Sequence, residues 1–264
     1  MGSRLQGKNI LLVGAAGNLG PAWAEGILEE GATVLAFGPD LQDDAELATL
    51  ANRFSEKVFL GHGDVTVPLS STQLVGAFSG VAEQPQIHGV VYNAGLDSPP
   101  GVAKQDAINF DAGAWDRIFR VNVFGFANIV TAVTPLLAVS SSIVAVGSMY
   151  GIVSPRLDLY SHYFDGEGSL KHPAYGASKA ALLATVRQFG THMAQQGTRV
   201  NALTLGGVAG NQDADFIAKF SAQNPQQRMV PISEAVGAMT YLLSDDSLSM
   251  TAQNLILDGA HTAW

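Results

Sequence analysis

The residues best suited to chemistry in this sequence are a tyrosine and a lysine four positions apart, Tyr175 and Lys179. They stand at the head of an apolar-striped segment, residues 177–194, whose spacing predicts a helix. Residues four apart lie on one face of a helix, so the ammonium is expected to favour the phenolate and lower its pKa. Such a phenol can donate and accept a proton near neutral pH. The spacing alone would also fit a surface tyrosine and a surface lysine, so the residues upstream must decide between a catalytic pair and a surface pair.

Two further polar side chains occupy positions where reacting groups are expected. Ser148 follows an apolar run at residues 142–146 that predicts a buried strand, and open α/β sheets bind ligands at the carboxyl ends of their strands. Asn122 lies in the middle of an apolar stripe in a predicted helix, residues 115–137. A buried amide left unpaired costs about 1–3 kcal/mol, so Asn122 must have a structural or a catalytic partner.

A glycine-rich turn near the start of the chain has the context of a phosphate-binding loop. It follows a predicted strand at residues 9–13 and precedes a predicted helix at residues 21–30. Such a turn leaves backbone N–H groups and the positive end of the helix facing outward, which suits a pyrophosphate. A plain tight turn is the alternative, but the strand before it and the helix after it favour phosphate binding.

Asp40 follows the second predicted strand, residues 33–37, where dinucleotide folds read the adenosine ribose. A carboxylate there bonds a 2′-hydroxyl and repels a 2′-phosphate, and residues 14–40 contain no Lys or Arg. The sequence therefore predicts NAD, without excluding NADP. Asp40 could equally be only a helix cap.

Strands and helices alternate along the whole chain, which predicts a doubly wound parallel α/β sheet of the Rossmann type with about seven strands. Residues 1–264 form a single domain in this interpretation. The third and fourth strands, residues 57–60 and 88–92, lead to Asp64-Val65 and Asn93-Ala94-Gly95. A crossover helix is predicted between them at residues 69–82.

The composition excludes several classes of protein. A net charge of −9 disfavours binding to nucleic acid, and the absence of cysteine excludes disulfides, thiol catalysis and thiolate metal sites. His62 and His88 stand alone, so no metal is expected. No apolar run approaches the roughly 20 residues of a membrane span. We expect a cytoplasmic protein with a small-molecule substrate and no membrane or nucleic-acid partner.

Over essentially its whole length the sequence resembles the short-chain dehydrogenase/reductase family, in its single-domain branch. The glycine turn, Asp64-Val65 and Asn93-Ala94-Gly95 resemble the family's cofactor motifs, and Asn122, Ser148, Tyr175 and Lys179 match its catalytic tetrad. The resemblance implies that the cofactor contacts Gly14, Gly17, Asn18, Leu19, Gly20, Asp40, Asp64, Val65, Asn93, Ala94, Gly95, Tyr175, Lys179, Gly206 and Val208.

The resemblance also implies a mechanism, hydride transfer between a nicotinamide and a secondary alcohol or ketone. Tyr175 would be the general acid and base, and Lys179 would lower its pKa and hold the nicotinamide ribose. Ser148 would bond the substrate oxygen, and Asn122 would hold a water that relays protons to Lys179.

Three positions and one spacing depart from the family pattern. Asn18 replaces the usual middle glycine, although Gly17 restores the spacing of the longer, sugar-nucleotide-using branch. Tyr92 replaces the first asparagine of the Asn-Asn-Ala-Gly motif, and Leu205 replaces the proline before Gly206. The gap between Ser148 and Tyr175 is about twice the usual one.

The enlarged gap, residues 149–173, is predicted to be an inserted substrate loop, and residues 206–232 a substrate lid. Tyr150, Arg156 and His162 in the loop suit a polyhydroxylated or anionic molecule, since buried polar groups reject partners that leave them unpaired. The alternative is that the loop packs against a neighbouring subunit. The segment 206–229 and the C-terminus resemble a subgroup that acts on sugar-type substrates.

Two other functions remain open from the sequence, a catalytically silent NAD(P)-binding regulator and a sugar-nucleotide epimerase or dehydratase. The complete tetrad opposes the first, and the short chain opposes the second. Family members commonly pair the helices that hold Asn122 and Tyr175, so a homodimer or homotetramer is expected.

Overall fold

The computed structural model describes residues 3–97, 102–103, 111–163 and 169–264. Within them seven strands form one parallel sheet in the order β3-β2-β1-β4-β6-β8-β9, which confirms the predicted doubly wound fold. A separate antiparallel pair joins β5 to β7. The strands are β1 (Asn9–Val13), β2 (Thr33–Gly38), β3 (Val58–His62), β4 (Ile87–Tyr92), β5 (Val102–Ala103), β6 (Leu137–Ser148), β7 (Ser169–Leu170), β8 (Arg199–Leu205) and β9 (Asn254–Leu257).

Helices cover both faces of the sheet and bury one apolar cluster on each. Trp23 and Leu242 belong to the cluster on one face, and Phe126 and Val186 belong to the cluster on the other. The strands between them are buried on both sides, as the apolar strand sequences require. The helices are α1 (Gly20–Glu29), α2 (Ala45–Arg53), α3 (Ser71–Gly76), α4 (Ala112–Phe119), α5 (Gly125–Val133), α6 (Pro173–Met193), α7 (Ala214–Ala222) and α8 (Ile232–Leu243).

The strand order reverses between β1 and β4, because β2 and β3 extend the sheet to one side and later strands extend it to the other. Ligands of open α/β sheets bind at such a switch point, beyond the carboxyl ends of the strands. The turns after β1 and β4 therefore lie side by side, which brings together two motifs that are far apart in the sequence.

Two helices differ from the sequence-based prediction. The crossover helix predicted at residues 69–82 is limited to α3, which begins at a capping box formed by Ser70 and Gln73. The long helix predicted at residues 115–137 is interrupted by a π-helical turn, Arg120–Phe124, between α4 and α5. A π turn cannot be read from apolar periodicity, because it depends on tertiary contacts that hold the widened backbone.

The helical stretch Ala112–Leu136 is long and apolar enough to cross a membrane by length and composition, whereas the sequence analysis found no such run. Core helices of folded domains pass the same test. Here 44% of the apolar window is buried inside the protein, and Ile129 and Val133 are fully buried against the sheet.

The segment predicted as an inserted loop, residues 149–173, is partly regular where the structure describes it. It contains the 3-10 helices Met149–Gly151 and Leu157–Tyr163. Tyr150 and Tyr160 are buried in a small apolar cluster with Phe220 of α7. Residues 164–168 of this segment lie outside the described part of the chain. The predicted lid, residues 206–232, contains α7.

Candidate active site

The glycine turn after β1 is built against the turn after β4. Gly14 has a φ of +77°, and a Cβ on it would lie 2.5 Å from the backbone nitrogen of Ala94. Only glycine fits there. The amide of Asn93 donates a hydrogen bond to the carbonyl of Gly14 at 2.7 Å and accepts one from the indole of Trp23 at 2.9 Å. The side chain of Asn93 therefore fixes the position of the glycine turn relative to β4.

A cleft of about 1240 Å³ opens at the carboxyl ends of the strands around this turn. Its rim is acidic near β2, where Asp43, Asp44 and Glu46 line it. Most of the predicted cofactor residues line the same cleft, namely Gly14, Gly17, Asn18, Leu19, Asp64, Val65, Asn93, Ala94, Gly95, Tyr175, Lys179, Gly206 and Val208.

Two predicted cofactor residues do not line the cleft. Gly20 is buried, and a Cβ on it would lie 2.0 Å from the carbonyl oxygen of Ala15, so it serves the packing of α1 against the turn. Asp40 is exposed, and its side chain makes no capping hydrogen bond. The cap of α2 is Asp44, whose carboxylate accepts hydrogen bonds from the N–H groups of Glu46 and Leu47. A second oxygen of Asp44 accepts from Gly17 at 3.3 Å.

Three of the four predicted catalytic residues meet in the cleft. Ser148 ends β6, while Tyr175 and Lys179 lie in the first two turns of α6. Pro173 at the start of α6 and His172 at its cap fix where the helix begins. The hydroxyl of Ser148 accepts a hydrogen bond from the N–H of Tyr150 at 3.2 Å and lies close enough to the phenol of Tyr175 to lower its pKa. The ammonium of Lys179 lies 5.9 Å from the centre of the Tyr175 ring, so the two side chains share one face as predicted.

The acidities of this pair differ from the sequence-based expectation. Burial raises the pKa of the Tyr175 phenol well above its usual range, the charge of Asp97 adds to the rise, and the nearby hydroxyl of Ser148 opposes it. Burial lowers the pKa of the Lys179 ammonium to about 8, against the opposing effect of Asp97. The net direction for Tyr175 is thus opposite to the one that its spacing with Lys179 predicted, because desolvation is the largest contribution to the pKa of the phenol. Tyr175 is therefore protonated at neutral pH.

Lys179 is held from behind by the strand that carries Ser148. Its ammonium donates a hydrogen bond to the carbonyl oxygen of Val146 at 2.9 Å, and the residue is only 5% exposed. A Cβ on Gly95 would lie 3.4 Å from this ammonium and 3.6 Å from the amide oxygen of Asn122. Gly95 thus lies beside both groups, and its missing side chain leaves the space in front of them open.

Asn122 lies behind the cleft and does not line it. It is fully buried in the π-helical turn. Its amide oxygen accepts a hydrogen bond from the N–H of Leu96 at 2.7 Å. Its amide nitrogen donates to the carbonyl of Leu96 at 3.0 Å and to the hydroxyl of Ser178 at 2.9 Å. The buried amide is therefore satisfied by protein groups and ties the π turn to the segment after β4 and to α6.

A second cavity of about 370 Å³ adjoins the cleft, and Tyr175 lines both. Tyr150, one of the three predicted substrate residues, lines this second cavity. Arg156 and His162 line neither of the two. Arg156 pairs with Asp158 at the surface, and His162 contacts Asp213 and Lys219 of the α7 region.

The sequence analysis missed several residues that the fold brings to the site. Lys171 lines the second cavity and pairs with Asp97 of the cleft, and Ser178 bonds Asn122. Lys171 and Asp97 lie 74 residues apart, so no local pattern could reveal the pair. For Ser178 the sequence offered one signal, namely a hydroxyl directly beside Lys179 in the predicted helix. Within the described parts of the chain, no group of three or more His, Cys, Asp or Glu side chains could hold a metal ion.

Comparison with known proteins agrees with this geometry. The family model described as enoyl-(acyl carrier protein) reductase matches residues 14–262. The chain is 31% identical over 278 aligned positions to 2-(S)-hydroxypropyl-CoM dehydrogenase 3 of Xanthobacter autotrophicus, with all of both chains covered. It is 26% identical over 269 positions to cis-4-hydroxycyclohexanecarboxylate dehydrogenase of Sinomonas cyclohexanicum, again with complete coverage of both.

Among solved structures, a gluconate 5-dehydrogenase from Burkholderia cenocepacia J2315, crystallised with NADP and tartrate, has a TM-score of 0.80 against this chain. Its sequence identity is 23%, and the superposition covers 99% of this chain and 98% of that one. At this identity the likeness shows the fold.

Proposed function

This chain belongs to the short-chain dehydrogenase/reductase family and is an NAD(P)-dependent oxidoreductase, and we propose that it interconverts a secondary alcohol and a ketone on a small polar substrate. One observation carries the proposal. Ser148, Tyr175 and Lys179 converge in one cleft with the glycine turn at the switch point of the sheet. A proton donor and a turn suited to phosphate thereby lie within reach of a single dinucleotide and its substrate.

The residues of the cleft fit a dinucleotide. Gly17 has a φ of +96°, and the place of its absent Cβ is open, with no atom within 4 Å. A backbone that turns outward without a side chain lets a pyrophosphate approach closely. When bound, the nicotinamide supplies or accepts the hydride, and the protein supplies position and proton transfer.

NAD is the cofactor that the acidic rim favours. Asp43 and Asp44 line the cleft beside the end of β2, and carboxylates there accept a hydrogen bond from a 2′-hydroxyl but repel a 2′-phosphate. Asp40, the residue that the sequence predicted for this role, lies close to them in the chain but does not line the cleft.

Tyr175 acts in the protonated form. Because its pKa is raised, the phenol donates its proton to the substrate oxygen when a ketone is reduced, and the new O–H bond completes the alcohol. The phenolate then regains a proton from solvent. Ser148, which lines the cleft together with this phenol, is placed to hold the substrate oxygen. In the opposite direction the phenolate removes the hydroxyl proton of the alcohol.

Lys179 and Asn122 support this step from behind. A lysine with a pKa of about 8 exchanges protons in the range where the enzyme works, so it can relay the solvent proton towards Tyr175. Asn122 fixes the π turn and thereby the wall of the cleft at Val121.

The names of the relatives support a polar and often acidic substrate. The Sinomonas cyclohexanicum protein is named for a hydroxycyclohexanecarboxylate, and the Burkholderia cenocepacia protein is named for gluconate and was crystallised with tartrate. Each of these molecules carries a carboxylate and a secondary hydroxyl. A sugar acid or another hydroxy acid is therefore the class that we favour, over a neutral polyol.

A homodimer or homotetramer and a cytoplasmic location remain parts of the proposal. Phe124 in the π turn leaves 53% of its surface exposed, on the stretch of helix that the family commonly pairs between subunits. An exposed aromatic side chain at this place supports pairing there.

The test is a substrate screen that follows the absorbance of reduced nicotinamide with NAD and with NADP. Hydroxy acids are paired with neutral alcohols of the same carbon skeleton. We expect turnover with NAD for at least one secondary alcohol. Binding of neither reduced cofactor, measured by quenching of tryptophan fluorescence, would refute the proposal.

A further inference from the structure

Lys171 is an unusually enclosed cation beside the catalytic tyrosine. Its side chain is 11% exposed and lines the second cavity together with Tyr175. The ammonium lies over three tyrosine rings, at 5.1 Å from the centre of Tyr175, 5.4 Å from Tyr150 and 5.9 Å from Tyr160. Distances within about 6 Å allow cation–π attraction. The rings hold the charge at a fixed place near the reacting phenol.

The counterion of Lys171 is Asp97, which lines the cleft and not the second cavity. The ammonium contacts a carboxylate oxygen of Asp97 at 2.5 Å. Asp97 lines the cleft and Lys171 lines the second cavity. This ion pair and the ring of Tyr175 thus form the partition between the space that fits the cofactor and the space beyond Tyr175.

The two partners of the ion pair are unequally buried, and this decides which of them can be replaced. The side chain of Asp97 is 51% exposed, so part of its carboxylate already contacts water. Lys171 is mostly enclosed by aromatic rings, and an enclosed ammonium without an anion is expensive. A ligand that displaces Asp97 from Lys171 must therefore supply a negative charge of its own. A neutral alcohol cannot do so.

We propose that Lys171 is the recognition site for the acid group of the substrate, and that a substrate carboxylate replaces Asp97 on the Lys171 ammonium. The proposal rests on the proposed function for the reaction at Tyr175, and it adds the class of substrate. The Lys171 ammonium lies 5.1 Å from the centre of the Tyr175 ring. A substrate bound to Lys171 through its carboxylate therefore needs only a few bonds between that carboxylate and the hydroxyl or carbonyl that reacts at Tyr175. The structure thereby selects small hydroxy acids and their keto forms.

The competition makes an unusual prediction, namely opposite effects from removing the two partners of one ion pair. Lys171→Met keeps the apolar stem but removes the charge, so it should weaken the binding of anions. Asp97→Asn removes the competing carboxylate, so it should strengthen the binding of the same anions. If the ion pair were purely structural, both substitutions would lower the stability of the protein and leave its affinity for anions unchanged.

The experiment measures binding by isothermal titration calorimetry, with and without reduced nicotinamide. The probes are acetate, tartrate and gluconate, with acetamide, threitol and sorbitol as their neutral counterparts. Lys8 and Asp245 provide the matched control, because their ion pair has the same 2.5 Å contact and a similar asymmetry of exposure, 17% and 69%. Lys8→Met and Asp245→Asn should leave every titration unchanged.

We expect Lys171→Met to raise the dissociation constant of the tightest-binding anion about tenfold, as loss of a charge-assisted hydrogen bond predicts. Asp97→Asn should lower that constant several-fold, and Lys171→Arg should keep most of the affinity. The proposal is overturned if no anion binds wild type more tightly than Lys171→Met, or if Asp97→Asn weakens binding. Failure of reduced nicotinamide to bind would refute the proposed function, whereas the anion titrations of the free protein would still report on Lys171.

Discussion

The phenol of Tyr92, at the end of β4, donates a hydrogen bond to the carbonyl oxygen of Val121 in the π-helical turn. Tyr92 stands where the family resemblance calls for asparagine, and it reaches the residue next to Asn122. Gly125 makes room for it, since a Cβ on Gly125 would lie 2.4 Å from the phenolic oxygen. The helical stretch that carries Asn122 thus provides both the hydrogen-bond acceptor and the space that a tyrosine at position 92 requires.

Tyr92→Phe should loosen this turn while keeping the packing of the ring. The buried carbonyl of Val121 would lose a donor, which costs about 1–2 kcal/mol of unfolding free energy. Because Asn122 is held in the same turn, kcat should fall several-fold while the KM for the cofactor changes little. Chemical unfolding and steady-state kinetics measure the two effects. Tyr241→Phe, at a partly exposed tyrosine of α8, is the control, and an unaltered kcat in Tyr92→Phe would contradict the prediction.

Tyr175→Phe should abolish turnover and leave cofactor binding intact. The variant removes the proton donor but keeps the ring that lines both cavities, so the rate should fall by at least about 100-fold. The dissociation constant of reduced nicotinamide should stay within about twofold. Rates near those of wild type would show that another group transfers the proton.

The raised pKa of Tyr175 also predicts a difference between the two directions of the reaction. Reduction uses the protonated phenol and should be constant through neutral pH, whereas oxidation needs the phenolate and should accelerate as the pH rises. Initial rates in both directions between pH 6 and about 10 test this. A faster oxidation at acidic than at alkaline pH would be incompatible with a phenol that must lose its proton before it acts as the base.

Lys179→Met should change how stability depends on pH. The pKa of Lys179 is about 8 in the folded protein and returns to 10.5 on unfolding, so unfolding takes up a proton between these values. The free energy of unfolding of wild type should therefore rise from pH 8 to 10.5, by up to about 3 kcal/mol. In Lys179→Met this contribution is absent. A difference between the two proteins that stays constant over this range would show that Lys179 does not titrate as described.

Asp43→Asn and Asp40→Asn separate the observed rim of the cleft from the sequence-based prediction. Asp43 lines the cleft and Asp40 does not, so only Asp43→Asn should reduce the repulsion of a 2′-phosphate. We expect it to raise kcat/KM for NADP relative to NAD about tenfold, which corresponds to about 1.4 kcal/mol. A larger shift in Asp40→Asn would restore Asp40 as the residue that reads the ribose.

The sequence alone determined the elements and the identity of the reacting groups. Apolar strands such as residues 9–13 and 142–146 predicted the parallel sheet because both faces of a parallel strand must be buried. The four-residue spacing of Tyr175 and Lys179 placed both on one helical face, and Ser148 was found because chemistry in such folds follows a strand. These are local consequences of backbone geometry, and they do not depend on the rest of the chain.

Only the tertiary structure decided how those groups are tuned and what surrounds them. The pKa of Tyr175 is set by burial and by Asp97, which reverses the direction that the spacing with Lys179 predicted. The pairing of Lys171 with Asp97 and the bond from Tyr92 to Val121 join residues that the sheet brings together from distant parts of the chain. Desolvation and long-range contacts arise only when the strands are assembled, so no periodicity or spacing in the sequence encodes them visibly.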